Sequence, residues 1–114
     1  MKTAQFFRCL ADDLRIQIML LLWQGGELST TAIANILGSN ESVIKRQMAL
    51  LSKNQLVVFR QKELFHYYRI NNDLPIWTQK IFKHTLRGSK HLLEDLKGLE
   101  EADLEQTHCV EPPN

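Results

Sequence analysis

The sequence is poor in the residues that staple small domains together. It holds two cysteines, Cys9 and Cys109, one hundred positions apart. That leaves neither a CxxC metal pair nor the cysteine framework of a secreted miniature domain, and two free thiols are expected. Long apolar runs are missing as well: nothing approaches the roughly 20 residues that span a bilayer, and Met1 does not open the basic, apolar and small-residue pattern of a secretory leader. A soluble, cytoplasmic chain is expected. Catalytic signatures are equally scarce. There is no glycine-rich phosphate loop, no nucleophile motif and no recognisable pair of opposed carboxylates, and His66, His84, His91 and His108 are too scattered to define a site. The chain is not expected to be an enzyme.

Net charge is also nearly absent, at +1 over 114 residues, but this value conceals a division along the chain. Between residues 40 and 70, Lys45, Arg46, Lys53, Arg60, Lys62 and Arg69 stand against Glu41 and Glu63, a net of +4. Residues 91–114 carry Glu94, Asp95, Glu100, Glu101, Asp103, Glu105 and Glu111 against Lys97 alone, a net of −6. The acidic end repels phosphate and leaves the middle of the chain as the candidate polyanion-binding face, although a plain solvated surface has the same composition.

The length suits one domain with a modest core. Phe6, Phe7 and Leu10 form a short apolar stripe at helical spacing, and Asp12 or Asp13 can cap a second helix whose run LRIQIMLLLW is too apolar to be exposed. Gly25 and Gly26 stop it, and Glu27 and Leu28 make a brief extended link. A third helix runs from about Ser29 or Thr30 to Leu37, closed by Gly38. Ser39 or Asn40 can cap a fourth, from about Glu41 to Lys53, so the connection has helix-turn-helix length. On the fourth helix Val43, Ile44, Met48, Leu50 and Leu51 share one arc with Gln47 among them, and Ser42, Lys45, Arg46, Ala49, Ser52 and Lys53 share the other. A cationic face with short hydroxyls and a central alanine can enter a groove closely while its long arms reach phosphates and base edges. An ordinary amphipathic surface helix has the same pattern.

The runs LVVFR and LFHYYRI are β-branched and aromatic, separated by the polar QKE, and they predict a hairpin whose tip lacks glycine. A loop of three to five residues is therefore expected rather than a two-residue primed turn. Arg60, Gln61 and Lys62 fall where a wing touches backbone or minor groove, although a plain ribbon closing the core has the same pattern. Asn72 or Asp73, with Pro75, opens a last helix carrying Trp77, Ile81, His84 and Gly88, then Leu92, Leu96 and Leu99, at three- and four-residue steps. So long a stripe at the edge of a small domain implies a homodimer. The expected fold is mainly α with a small β-hairpin: a winged helix-turn-helix of order α-α-α-α-β-β-α over residues 1–106, dimerising through its first and last helices, with a disordered tail at 107–114.

Over about residues 3 to 86 the chain resembles the ArsR/SmtB family of winged-helix repressors. LADDLRIQIMLLL is similar to the family's opening of its second helix, with Asp13 where proline is common. GELSTTAIANILGSNESVIKRQMALLSKNQLV is similar to its helix-turn-helix, and YYRIN with LPIW to the end of its wing and the start of its last helix. The resemblance implies a dimeric repressor that binds double-stranded DNA sequence-specifically and releases it on a metal, metalloid or redox signal. The arsenic-sensing motif, Glu-Leu-Cys-x-Cys, aligns with Glu27, Leu28, Ser29, Thr30 and Thr31, so both thiolates are missing, and hydroxyls are poor partners for soft As(III). Of the zinc-sensing set only His91 and Glu94 are matched; Thr78 and Lys80 stand near the other pair. Cys9, His108 and Cys109 remain as terminal candidates for a redox or metalloid role.

The residues expected to contact DNA are Asn40, Ser42, Lys45, Arg46, Gln47 and Lys53 on the fourth helix and Arg60, Gln61 and Lys62 on the wing. Arg46 is placed for bidentate contact with guanine, and Lys45, Lys53, Arg60 and Lys62 for phosphate. The rival expectation is a winged-helix module in which the same surfaces hold an acidic protein.

Overall fold

A computed structural model describes residues 2–88. Leu92, Leu96 and Leu99 of the expected last helix, the candidates His91, Glu94, His108 and Cys109, and the tail at 107–114 lie outside the described residues.

The chain runs α1 (Thr3–Leu10), α2 (Asp13–Gly25), β1 (Leu28–Ser29), α3 (Thr30–Leu37), α4 (Glu41–Lys53), β2 (Val57–Lys62), β3 (Phe65–Ile70) and α5 (Ile76–Gly88). The starts of α2, α3 and α4 are each set by a side chain the local sequence provides. The Asp12 carboxylate accepts from the Arg15 amide at 3.1 Å, the Ser29 hydroxyl from the Ala32 amide at 3.1 Å, and the Asn40 carboxamide from the Ser42 amide at 2.8 Å. Each bond satisfies one of the amides a helix leaves free. Gly38 ends α3 in the left-handed region at φ 65°, ψ 32°, which reverses the chain within three residues before α4 begins.

Ile18, Met19, Leu21 and Leu22 of α2 meet Ile33 of α3 and Ile44, Met48 and Leu51 of α4, all buried. Burial of such side chains, at roughly 1.5–3 kcal/mol each, is the main force holding the helices together. An aromatic cluster joins α1, α2 and α5. The Phe6 ring lies edge-on to Trp77 at 5.1 Å and against Phe82 at 5.6 Å, and Trp23 lies 6.0 Å from Phe82. Thr78, like Thr30, is a buried polar residue; it is fully enclosed, its hydroxyl donating to the Pro75 carbonyl at 2.6 Å. Among the described residues no helix is long and apolar enough to cross a membrane.

Three details depart from the sequence expectations. The extended link expected at Glu27 and Leu28 is a paired strand, displaced by one residue to Leu28–Ser29: Leu28 pairs with Tyr68 and Ser29 with Tyr67, which makes an antiparallel sheet of order β1-β3-β2. The hairpin loop has two residues, not three to five, because Lys62 pairs with Phe65 and Glu63 itself takes φ 59°. Phe59 packs on His66 at 5.0 Å and on Tyr68 at 5.3 Å, and these cross-strand contacts fix a register that the strained turn must follow. Leu50, placed by the helical wheel on the inner arc, is 38 % exposed at the margin of that arc.

Candidate nucleic-acid interface

The fourth helix separates cleanly into two faces. Ile44, Met48 and Leu51 are sealed into the core, while Ser42, Lys45, Arg46, Ala49 and Lys53 are exposed. Glu41 lies in the first turn and Lys53 in the last, the order the helix dipole favours. Lys45, Arg46 and Lys53 project from the wall that α4 presents outward, with Ala49 leaving the backbone between them uncovered.

Two braces fix that wall. From α2, the Arg15 guanidinium donates through Nε to the Cys9 carbonyl at 2.6 Å and through Nη1 to Gln47 Oε1 at 3.0 Å, so one side chain spans the end of α1, the start of α2 and the middle of α4. From α3, the hydroxyls of Thr30 and Thr31 donate to Glu41 Oε2 at 3.3 and 3.1 Å. The first brace holds Gln47 toward α2, on the arc where its spacing placed it, and engages the carboxamide of which a groove contact was expected. Asn40 is exposed at the tip of the turn, its carboxamide oxygen shared between the amide and the hydroxyl of Ser42, at 2.8 and 2.6 Å.

The wing residues are less alike than their charges suggest. Lys62 is exposed, and Gln61 is exposed with only a long 3.5 Å contact from Nε2 to the Glu63 carbonyl. Arg60 is engaged within the chain: its Nε and Nη2 donate to the two carboxylate oxygens of Glu27 at 2.7 and 2.8 Å, with the guanidinium carbon 5.5 Å from the centre of the Tyr67 ring. The hydrogen bond from Arg60 holds the Glu27 carboxyl below its ordinary value, desolvation opposes the shift, and the positive charges of Arg60, Arg69 and Lys62 add to it. Sequence reading named Arg60 and missed Glu27, whose sign gave no reason to place it at a cationic surface.

The sites that the family resemblance raised for an inducer look different in three dimensions. Ser29 and Thr31, aligned with the missing thiolates, spend their hydroxyls on capping α3 and on Glu41. Cys9 is buried, and burial pushes its thiol pKa up against the opposing charges of Arg15 and Arg8, which disfavours the reactive thiolate. Among the described residues no three His, Cys, Asp or Glu side chains gather closely enough to hold a metal ion.

No family model matches the chain. Among curated proteins it is 34 % identical over 83 residues to the arsenical resistance operon repressor of Escherichia coli (strain K12), a match covering 73 % of this chain and 71 % of the relative. Among solved structures, HlyU from Vibrio cholerae N16961 superposes with a TM-score of 0.66 at 20 % identity, over 74 % of this chain and 87 % of that one, a likeness of fold. The homodimeric winged helix-turn-helix DNA-binding domain of Mb0332 from Mycobacterium bovis, described as a possible ArsR-family transcriptional regulator, superposes with a TM-score of 0.63 at 28 % identity. That match covers 76 % of this chain and 77 % of the other.

Proposed function

The chain belongs to the ArsR family of transcriptional repressors, and from that premise we propose that it works in the cytoplasm as a homodimeric repressor binding double-stranded operator DNA sequence-specifically. Each subunit lays α4 in the major groove, the two copies about 34 Å apart on successive turns of the duplex. The dimer forms through α1 and the last helix, within a domain that extends to about residue 106. The observation that carries this reading is the outer face of α4: three cations and a short hydroxyl exposed on a helix whose opposite face is sealed in the core and whose length is braced by Arg15 and Glu41.

Within that interface Arg46 is the base reader, its planar fork suited to the O6 and N7 acceptors of guanine, and Ser42 and Asn40 contact the duplex near the helix start. Lys45, Lys53, Arg60 and Lys62 bind phosphate, and Gln61 approaches the groove beside them. Gln47 acts indirectly, holding α4 on Arg15. Ser29 and Thr31 carry no thiolate, so repression is not relieved by As(III) at the start of α3.

Fluorescence anisotropy with the promoter duplex of the protein's own operon, against an unrelated duplex as competitor, tests the reading. Salt-sensitive, sequence-selective binding is expected. Arg46→Ala should lose about 1–3 kcal/mol, concentrated at one base position, whereas Lys45→Ala and Lys53→Ala weaken binding to every sequence and flatten the salt slope by close to one unit each. Equal binding of both duplexes, or none, would refute it.

A further inference from the structure

We propose that Glu27 is an internal stand-in for a DNA phosphate: in the free chain its carboxylate fills the guanidinium fork of Arg60, and a backbone phosphate of the duplex displaces it. The inference rests on the DNA-binding function above and adds a residue to it that opposes binding.

The sheet register brings the pair together. Ser29 and Arg60 both lie opposite Tyr67, one on each side of β3, so the three share a face, and Glu27, two residues before Ser29, returns to it. Arg60 reaches across the Tyr67 ring to meet the carboxylate with two parallel bonds of 2.7 and 2.8 Å. This fork-to-fork geometry suits a carboxylate and a phosphate alike, since each presents two oxygens to two N–H groups. The register puts Lys62 and Arg69 on the same face, so the single charge of Glu27 offsets part of a set of three cations there, and its ion pair is with Arg60.

Such a pair does little to hold the fold. Both side chains are in contact with water, Arg60 at 56 % and Glu27 at 29 % of full exposure, and exposed ion pairs contribute little to stability. Its effect falls on binding. A phosphate that takes the Arg60 fork must first break the contact to Glu27, and the free carboxylate is then left close to a polyanion. Among the described residues Lys62 carries no such partner, so the two wing cations should respond differently to removal of Glu27.

The test is a double-substitution cycle read by anisotropy with the own-promoter duplex at 50–200 mM salt, using the full chain, Glu27→Gln, Arg60→Ala and the two combined. Glutamine keeps the size of Glu27 and removes its charge. Glu27→Gln should bind tighter by up to about fivefold, the ceiling an exposed ion pair sets, and the gain should vanish when Arg60 is alanine. Unchanged or weaker binding by Glu27→Gln overturns the proposal. So does an equal gain with and without Arg60, which would assign the effect to overall charge. If the parent chain binds no duplex selectively, the repressor reading fails and this inference with it; selective binding that is indifferent to Glu27 removes the inference alone.

Discussion

Replacing Arg15 tests whether the orientation of α4 depends on one half-buried brace. The guanidinium makes two charge-assisted hydrogen bonds, to the Cys9 carbonyl at 2.6 Å and to Gln47 at 3.0 Å, and its own amide caps on Asp12. Methionine keeps the apolar stem and the backbone cap while deleting both side-chain bonds, so the change isolates them. Hydrogen bonds to charged groups contribute about 1.5–3 kcal/mol each, but Arg15 is half-buried and water can partly replace it, which brings the expected loss to about 2 kcal/mol in total. For a domain of this size that lowers the melting temperature by about 8–16 °C. Circular dichroism melts should be recorded at one fixed chain concentration, because the melting point of a dimer shifts with concentration. Arg15→Lys should recover less than half of the loss, since a single ammonium must choose between the carbonyl of α1 and the amide of α4. If Arg15→Met melts within about 2 °C of the parent, the two bonds are not a brace and the rigidity attributed to α4 has another source.

Two further outcomes follow from local geometry. The Glu27 pKa is depressed, so the stabilisation from its contact with Arg60 is complete above the ordinary glutamate value of 4.5 and is lost as pH falls through the lower folded value. An NMR titration of the Glu27 side-chain carboxyl should give a midpoint below 4.5 that rises toward it in Arg60→Ala, and identical midpoints in the two proteins would contradict the pairing. Gly38→Ala should cost about 1 kcal/mol in urea unfolding through backbone strain alone, because the residue sits at φ 65° with nothing within 4 Å of an added Cβ. A loss below about 0.3 kcal/mol would show that the turn relaxes into another conformation.

Wherever structure depends on neighbours in the chain, the sequence was a sound guide. Asp12 or Asp13, Ser29 or Thr30, and Ser39 or Asn40 marked three helix starts to within one residue, and Asp12, Ser29 and Asn40 are the caps, because a cap acts on amides two or three residues away. Ile44, Met48 and Leu51 announced the buried face of α4 because helical periodicity converts spacing directly into direction. The positive φ of Gln55 and Glu63 could not be anticipated in this way. Neither is glycine. Gln55 ends α4 with its amide bonded to the Ser52 carbonyl and the following Leu56 amide bonded to Leu51, a left-handed close that the burial of Leu56 and Val57 holds in place. Glu63 adopts its conformation because aromatic pairs on both strands set the register first.

The same distinction governs the functional surface. Composition identified a cationic segment, and it is the segment that forms the outer wall of α4 and the wing, but a count of charges treats every cation as available. Availability is a tertiary property. Spacing placed Gln47 among the apolar arc of α4 even though its amide invited a groove contact, and the Arg15 guanidinium of a different helix is the partner that holds it there. Arg60 and Glu27 are 33 residues apart and meet only because β1 and β2 flank the same central strand in one register. Had β1 stayed an unpaired link, as its two residues suggested, Glu27 would have no fixed position and Arg60 would be as free as Lys62. The strand too short to stand out in the sequence therefore determines how much of the wing's charge is on offer to a phosphate.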